Sequence, residues 1–155
     1  MRLVLAAIFL LSLWSSETLA CSCAPQPQDT REAVTKAFES ASLVFLGRIE
    51  STETFRGAKR NYDVDLEYQR VQFYVIDSWK GEKATRVYVE STLTCCLCGH
   101  HFPESGEFLI YAYGPDENGY YGTSICSRTR PAESAEEDIE VLNTLVAETV
   151  DSSGK

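Results

Sequence analysis

Six cysteines and two histidines carry most of the chemistry open to this chain. They fall into three places: Cys21-Ser22-Cys23-Ala24-Pro25, then Cys95-Cys96-Leu97-Cys98-Gly99-His100-His101, and finally Cys126. Sulfur and imidazole suit zinc or copper, so the middle segment is a candidate metal carrier. Against that, neighbouring residues seldom converge on one ion, and no second Cys-x-x-Cys supplies the other half of a tetrahedral site. A Cys-His nucleophile needs a free thiolate and an orienting acid. With the thiols oxidised and no such acid to name, an enzyme is not expected, nor is a cofactor or a metal of the protein's own.

Oxidation follows from the first twenty residues. Met1-Arg2 is a positive start, 3–14 is an apolar run broken by Ser12, and 15–18 is polar. Thr18-Leu19-Ala20 then places tolerated residues where a signal peptidase reads, the pattern of a secretory leader over 1–20. The apolar stretch is shorter than the roughly 20 residues a spanning helix needs. The mature chain is therefore expected to begin at Cys21, outside the cell or in a periplasm. Disulfides are the default there, with the pairing left open by spacing alone. A lipoprotein leader would cut at the same cysteine, but Thr18 stands where such leaders carry Leu, Val or Ile. Lipid at Cys21 would anchor the chain to a membrane and block its α-amine.

Two cysteines within three residues tie a normally mobile terminus to the body. A bridge from Cys21 to the 95–98 cluster closes a loop of about half the chain, worth about 4 kcal/mol by the chain-entropy argument. Stability alone accounts for such a bridge, yet a first residue held still does something further. Its α-amine and carbonyl oxygen sit side by side and can chelate a metal ion in a five-membered ring. The amine has a pKa near 8, so losing its proton at neutral pH costs little. A catalytic zinc with three protein ligands keeps an open position, normally filled by water. A rigid wedge at that position displaces the water.

The elements that must hold this wedge are mostly strands. Asp29-Thr30-Arg31-Glu32 has capping-box spacing, and Ala33, Val34, Ala37, Phe38 and Ala41 follow at helical period. Strands are expected over 43–49, 68–79, 86–90, 108–113 and 120–126, with a polar loop or loose hairpin end over 51–67. Asn118-Gly119 marks a turn. Ser134 to Glu137 repeats the capping box, and Ile139, Leu142, Leu145 and Val146 form an apolar stripe. One domain over 21–150 with a tail over 151–155 is expected. The full sequence has 14 basic against 23 acidic residues, net −9, which argues against nucleic acid and anionic membranes as partners. Tyr111, Tyr113, Tyr120 and Tyr121 read as packing rather than a binding face.

In order along the chain, these residues resemble the N-terminal inhibitory domain of the tissue inhibitors of metalloproteinases, within the netrin-like modules. Cys21-Ser22-Cys23-Ala24-Pro25 is similar to the family's Cys-x-Cys-x-Pro opening. Ala37-Phe38 before Leu43-Val44-Phe45, Trp79-Lys80-Gly81, Cys98-Gly99, Glu107-Phe108-Leu109-Ile110 and Cys126 resemble later landmarks. The resemblance implies a mainly β fold, a five-stranded OB-type barrel with a short N-terminal helix and a C-terminal helix. It implies Cys21–Cys98 and Cys23–Cys126 disulfides, and chelation of a target protease's zinc by backbone atoms of Cys21. Ser22 would enter the specificity pocket. Ser22, Cys23, Ala24 and Pro25, with Cys95, Cys96, Leu97 and Cys98, would form the inhibitory ridge. The implied partner is a metzincin-type zinc protease. Glu39 stands near a family half-cystine, so the family's third bridge is missing, and Cys95 and Cys96 have no counterpart. A netrin-like binding module without inhibition is the alternative.

Overall fold

Alternation along two of its strands explains how one sheet serves two cores. The computed structural model describes residues 21–58, 65–94 and 97–153. The expected leader, the end of the tail, and Cys95 and Cys96 lie outside them. Helix α1 (Thr30–Ser40) begins at Asp29, whose carboxylate accepts from the Glu32 N–H at 2.8 Å. Strands β1 (Leu43–Gly57) and β2 (Leu66–Lys80) form a long antiparallel hairpin. β3 (Arg86–Thr92) pairs with β2, and β4 (Glu107–Ala112) pairs with β1 over 43–48. Two short strands follow, β5 (Tyr121–Gly122) parallel to β3 and β6 (Arg130–Pro131) antiparallel to β4. Helix α2 (Glu136–Ser153) ends the described chain.

The result is a mainly β protein with one six-stranded mixed sheet, in the order β5-β3-β2-β1-β4-β6. Leu43, Phe45 and Ile49 of β1 and Phe108, Ile110 and Ala112 of β4 point into the curl of the sheet. They meet Val71, Phe73, Val87, Val89 and Phe102 there. The alternate residues Val44, Leu109 and Tyr111 point the other way, onto Val34, Ala135 and Leu142 of the helical layer. Successive side chains on a strand face opposite sides, so the two cores share a wall. Three register shifts bulge β1 against β2 and bend it.

Several expectations are corrected. The sheet has six strands and does not close as a continuous ladder, with β5 and β6 at its ends, so the expected mainly β class is shown and its five-stranded OB-type barrel is not. Of the stretch expected over 51–67 as a polar loop or loose hairpin end, the hairpin is what forms, with 51–57 and 66–67 in paired strands. Thr52, Thr54 and Phe55 are strand formers, Phe55 stacks on Tyr68 at 5.6 Å, and Glu53 pairs with Arg70. The strand expected over 120–126 shrinks to two residues because hydroxyls turn the chain. Ser124 Oγ accepts from Cys126 N–H, and Ser127 Oγ accepts from Thr129 N–H. Ser134 does not cap α2: its hydroxyl donates to Pro131 O from a 3-10 turn (Ala132–Ser134). Helical backbone continues to Ser153, through residues expected as tail. No helix among the described residues is long and apolar enough to cross a membrane.

Candidate functional site

Residues 21–27 run in neither helix nor strand, with Cys21 half-buried and Ser22, Cys23, Ala24 and Pro25 exposed. Such a segment has no ladder to hold it, so its position depends on covalent ties. It has two. Cys21 is bridged to Cys98 with Cα atoms 5.4 Å apart, and Cys23 to Cys126 at 5.2 Å. The closed loops span 77 and 103 residues, each worth about 4 kcal/mol or a little more by the chain-entropy argument.

Each anchor is itself fixed. Cys98 sits in the left-handed region, φ 55°, which is uncommon for a residue with a side chain. Its carbonyl accepts from Ile125 N–H at 2.9 Å. Gly99 lies so close to β3 that a Cβ there would collide with the Thr92 carbonyl oxygen. His100 N–H donates to Ser91 Oγ at 2.6 Å, and Ser91 Oγ donates to Thr123 O at 3.2 Å. The buried amide of Gln69 then holds Phe102 by both backbone groups, at 2.8 and 2.9 Å.

The second anchor, Cys126, lies in the hydroxyl-rich turn. Thr123 and Thr129 hydroxyls meet at 2.9 Å, and Thr129 Oγ1 accepts from Tyr111 N–H at 3.0 Å. Arg128 leaves this turn to form a two-pronged ion pair with Asp138 of α2. The wedge is thus tied through one bridge to β3 and through the other to β4 and α2.

Of the residues proposed from sequence, Cys21, Ser22, Cys23, Ala24, Pro25, Cys98 and Cys126 are brought together. Leu97, next to Cys98, lines a hollow of about 690 Å³ with Arg70, Glu90 and Tyr120. Cys95 and Cys96 lie outside the described residues. In that hollow the Arg70 guanidinium lies 4.6 Å from the Phe55 ring and 4.1 Å from Tyr120, and it pairs with buried Glu90 at 2.8 Å. Of the tyrosines read as packing, Tyr111 is fully buried in the helical core, whereas Tyr113 is exposed.

Two candidate ligands of the metal-carrier reading are placed in other surroundings. Cys98 is in a disulfide, and the His100 ring packs against Phe102 at 4.3 Å and edge-on to Phe108 at 6.0 Å. Its buried Nδ1 has no hydrogen-bond partner among the described residues. Burial, with the neighbouring His101, holds its pKa below the usual histidine value. Among the described residues no three His, Cys, Asp or Glu side chains come together as an ion site.

No protein-family model and no curated protein matches this chain. Its site therefore rests on its own geometry. Sequence reasoning missed Ile125 and Leu93, which flank the first bridge in a shallow depression of about 430 Å³. The available signal was an isoleucine stranded among Ser and Thr directly before Cys126. It also missed Arg128 and Asp138, whose spacing across a turn has no periodic signature.

Proposed function

We propose that the chain is exported, cut before Cys21, and inhibits a zinc metalloprotease by chelating its catalytic ion. The α-amine nitrogen and the carbonyl oxygen of Cys21 would be the two donors. The amine releases its proton to solvent and the pair displaces the water at the open zinc position. Ser22 would enter the pocket beside the ion, and Cys23 to Pro25 would continue along the cleft, with Cys98 beside them.

The observation that carries this reading is the double tether: residues one and three of the expected mature chain are each bonded to a different, independently braced part of the body. A terminus that needs no ordering on binding loses less entropy when it docks. Stability would be served as well by bridges in the middle of the chain. Placing two at the outermost residues immobilises the backbone atoms of Cys21.

The same proposal reads the sheet as a partly open OB-type barrel of the netrin-like class. The parallel β3–β5 pair supports it, as does an isolated bridge in which Tyr113 and Gly122 exchange hydrogen bonds of 2.9 and 2.8 Å. That bridge links the end of β4 to β5 across the gap in the ladder. The resemblance to the tissue inhibitors of metalloproteinases belongs to this proposal, and so does secretion, with which two disulfides are consistent.

The test is intact-mass and N-terminal analysis of the exported protein, followed by inhibition assays against metzincin catalytic domains. The expected result is a free Cys21 amine, two disulfides among the four paired cysteines, and inhibition at sub-micromolar concentration. A lipidated or acylated Cys21 would contradict the reading. Tight binding to a protein with no effect on any zinc protease would favour the non-inhibitory binding module instead.

A further inference from the structure

The hollow of about 690 Å³ has no part in the chelation reading. Phe55, Leu66 and Tyr68 of the β1–β2 hairpin line it on one side, and the loop after β4, from Pro115 to Tyr120, on another. Its size falls within the range of about 300–1,000 Å³ usual for small-molecule sites. Its wall contains an ion pair: Glu90, only 4% exposed, accepts from Arg70 Nε at 2.9 Å. A buried pair adds little net stability, so stability alone is a poor account of charge placed there. The loop is built as firmly as the hairpin. Asp116 Oδ1 accepts from the N–H groups of Asn118 and Tyr120 at 2.9 and 3.0 Å, and Asp116 N–H donates to Tyr120 O at 2.9 Å. With Arg70 held against the Phe55 and Tyr120 rings, hairpin and loop are joined before anything binds, which lowers the ordering cost of binding.

We propose that this hollow is a carbohydrate site that takes a neutral oligosaccharide. The lining sorts the ligand classes. Glu90, Asp116 and Glu117 outnumber the one guanidinium, and that guanidinium already donates to Glu90 and Glu53. A phosphate, sulfate or carboxylate would meet net negative charge. An apolar ligand would cover the polar lining without replacing the hydrogen bonds water makes to it. A bare metal ion finds no group of three His, Cys, Asp or Glu among the described residues. A neutral sugar fits both parts of the lining. Its hydroxyls donate and accept, matching the carboxylates and the Asn118 amide, while its C–H faces lie against the rings of Tyr120 and Phe55. Tyr88, 42% exposed, carries the aromatic surface past Tyr120 at a ring distance of 5.9 Å. That extension suits several linked sugars better than one. The site requires neither chelation nor a protease.

The experiment titrates the disulfide-bonded chain with neutral oligosaccharides of the cellulose, xylan, starch and N-acetylated chitin series, followed by calorimetry. Deacetylated chitin oligomers, which carry free amines, and sulfated heparin oligomers form two further arms. Tyr120→Ala removes the central ring, and Asn118→Ala removes an exposed amide at the loop tip. Tyr74→Ala, at an exposed tyrosine of β2 that does not line the hollow, serves as control. Disulfide count and melting temperature are checked for each variant. The expected result is binding of at least one neutral series with a dissociation constant of about 1 mM or tighter. Tyr120→Ala should weaken it about tenfold or more and Asn118→Ala by about threefold, with Tyr74→Ala unchanged and no binding of the sulfated oligomers. If Tyr120→Ala fails to fold, Asn118→Ala decides alone. Three results overturn the inference: no neutral series binds, only the amine-bearing or sulfated oligomers bind, or the folded variants at 118 and 120 bind as the parent does. None of these results bears on chelation, which is read separately from protease inhibition.

Discussion

Asp138 accepts from both Nε and Nη2 of Arg128, at 2.8 and 2.7 Å, from a position only 1% exposed. Arg130 stands 3.8 Å from the same carboxylate. Arg128 is two residues beyond Cys126, so this pair braces the turn that holds the second tether. Removing one partner of a buried pair strands the other. Asp138→Asn is expected to destabilise the fold by about 3 kcal/mol, read from the midpoint of urea unfolding. Where the variant remains folded, inhibition should fall far less than stability, because Cys98 still holds Cys21.

Gly99→Ala tests the first tether's seat. The added methyl meets a backbone carbonyl, which cannot rotate away as a side chain would. A cost of about 2–3 kcal/mol is expected, in line with overpacking of a tight site. Because Cys98 is the neighbour that must shift, inhibition should weaken together with the melting temperature.

The two bridges should separate in function more than in stability. Replacing Cys21 and Cys98 by serine, or Cys23 and Cys126 by serine, is expected to cost about 2–5 kcal/mol in either case. Losing the first pair frees Cys21, the residue proposed to chelate, and should abolish inhibition. Losing the second leaves Cys21 attached and should weaken inhibition without removing it. Thermal unfolding and inhibition constants on the same preparations check both statements.

His100 makes stability depend on pH. Its folded-state pKa is lowered by burial and by His101, whereas the unfolded chain titrates near the ordinary value of about 6.5. The unfolded state thus binds the proton more readily, and stability falls as pH drops below about 6.5, levelling once pH passes the folded value. His100→Phe should remove that component. The check is the unfolding free energy of the parent minus that of His100→Phe, which should become steadily less positive, or more negative, from pH 7.5 to 5.

Helix α1 and the central strands were legible because their signals are local. Asp29 before Glu32 announces a cap, and Val71, Phe73 and Val75 announce a face by alternation. The hairpin beyond Ile49 was legible only as one of two readings, because its charges mimic a loop. Only pairing across the hairpin, Phe55 on Tyr68 and Glu53 on Arg70, shows them to be strand. The contraction of the fifth strand was hidden for the opposite reason. The strand-forming residues Tyr120, Tyr121, Thr123 and Ile125 look like a continuous strand, but Ser124, Ser127 and Thr129 hydroxyls capture backbone groups and turn it. At the site, cysteine spacing fixed attention on Cys21 and Cys23. The pairing seen with Cys98 and Cys126 is a tertiary contact that spacing could not decide. Ile125, Leu93, Gln69 and the Arg128–Asp138 pair are contributions of tertiary contact, which no local pattern records.

Chelation would depend on main-chain atoms of one residue, so the most direct measurement changes only what precedes that residue. A form carrying one extra alanine before Cys21 keeps both bridges and the whole body, yet converts the α-amine into an amide that no longer donates to zinc. Its inhibition constant against a sensitive metzincin should rise by at least about a thousandfold relative to the form starting at Cys21, the equivalent of about 4 kcal/mol, with the melting temperature unchanged. Equal inhibition by the two forms would contradict chelation.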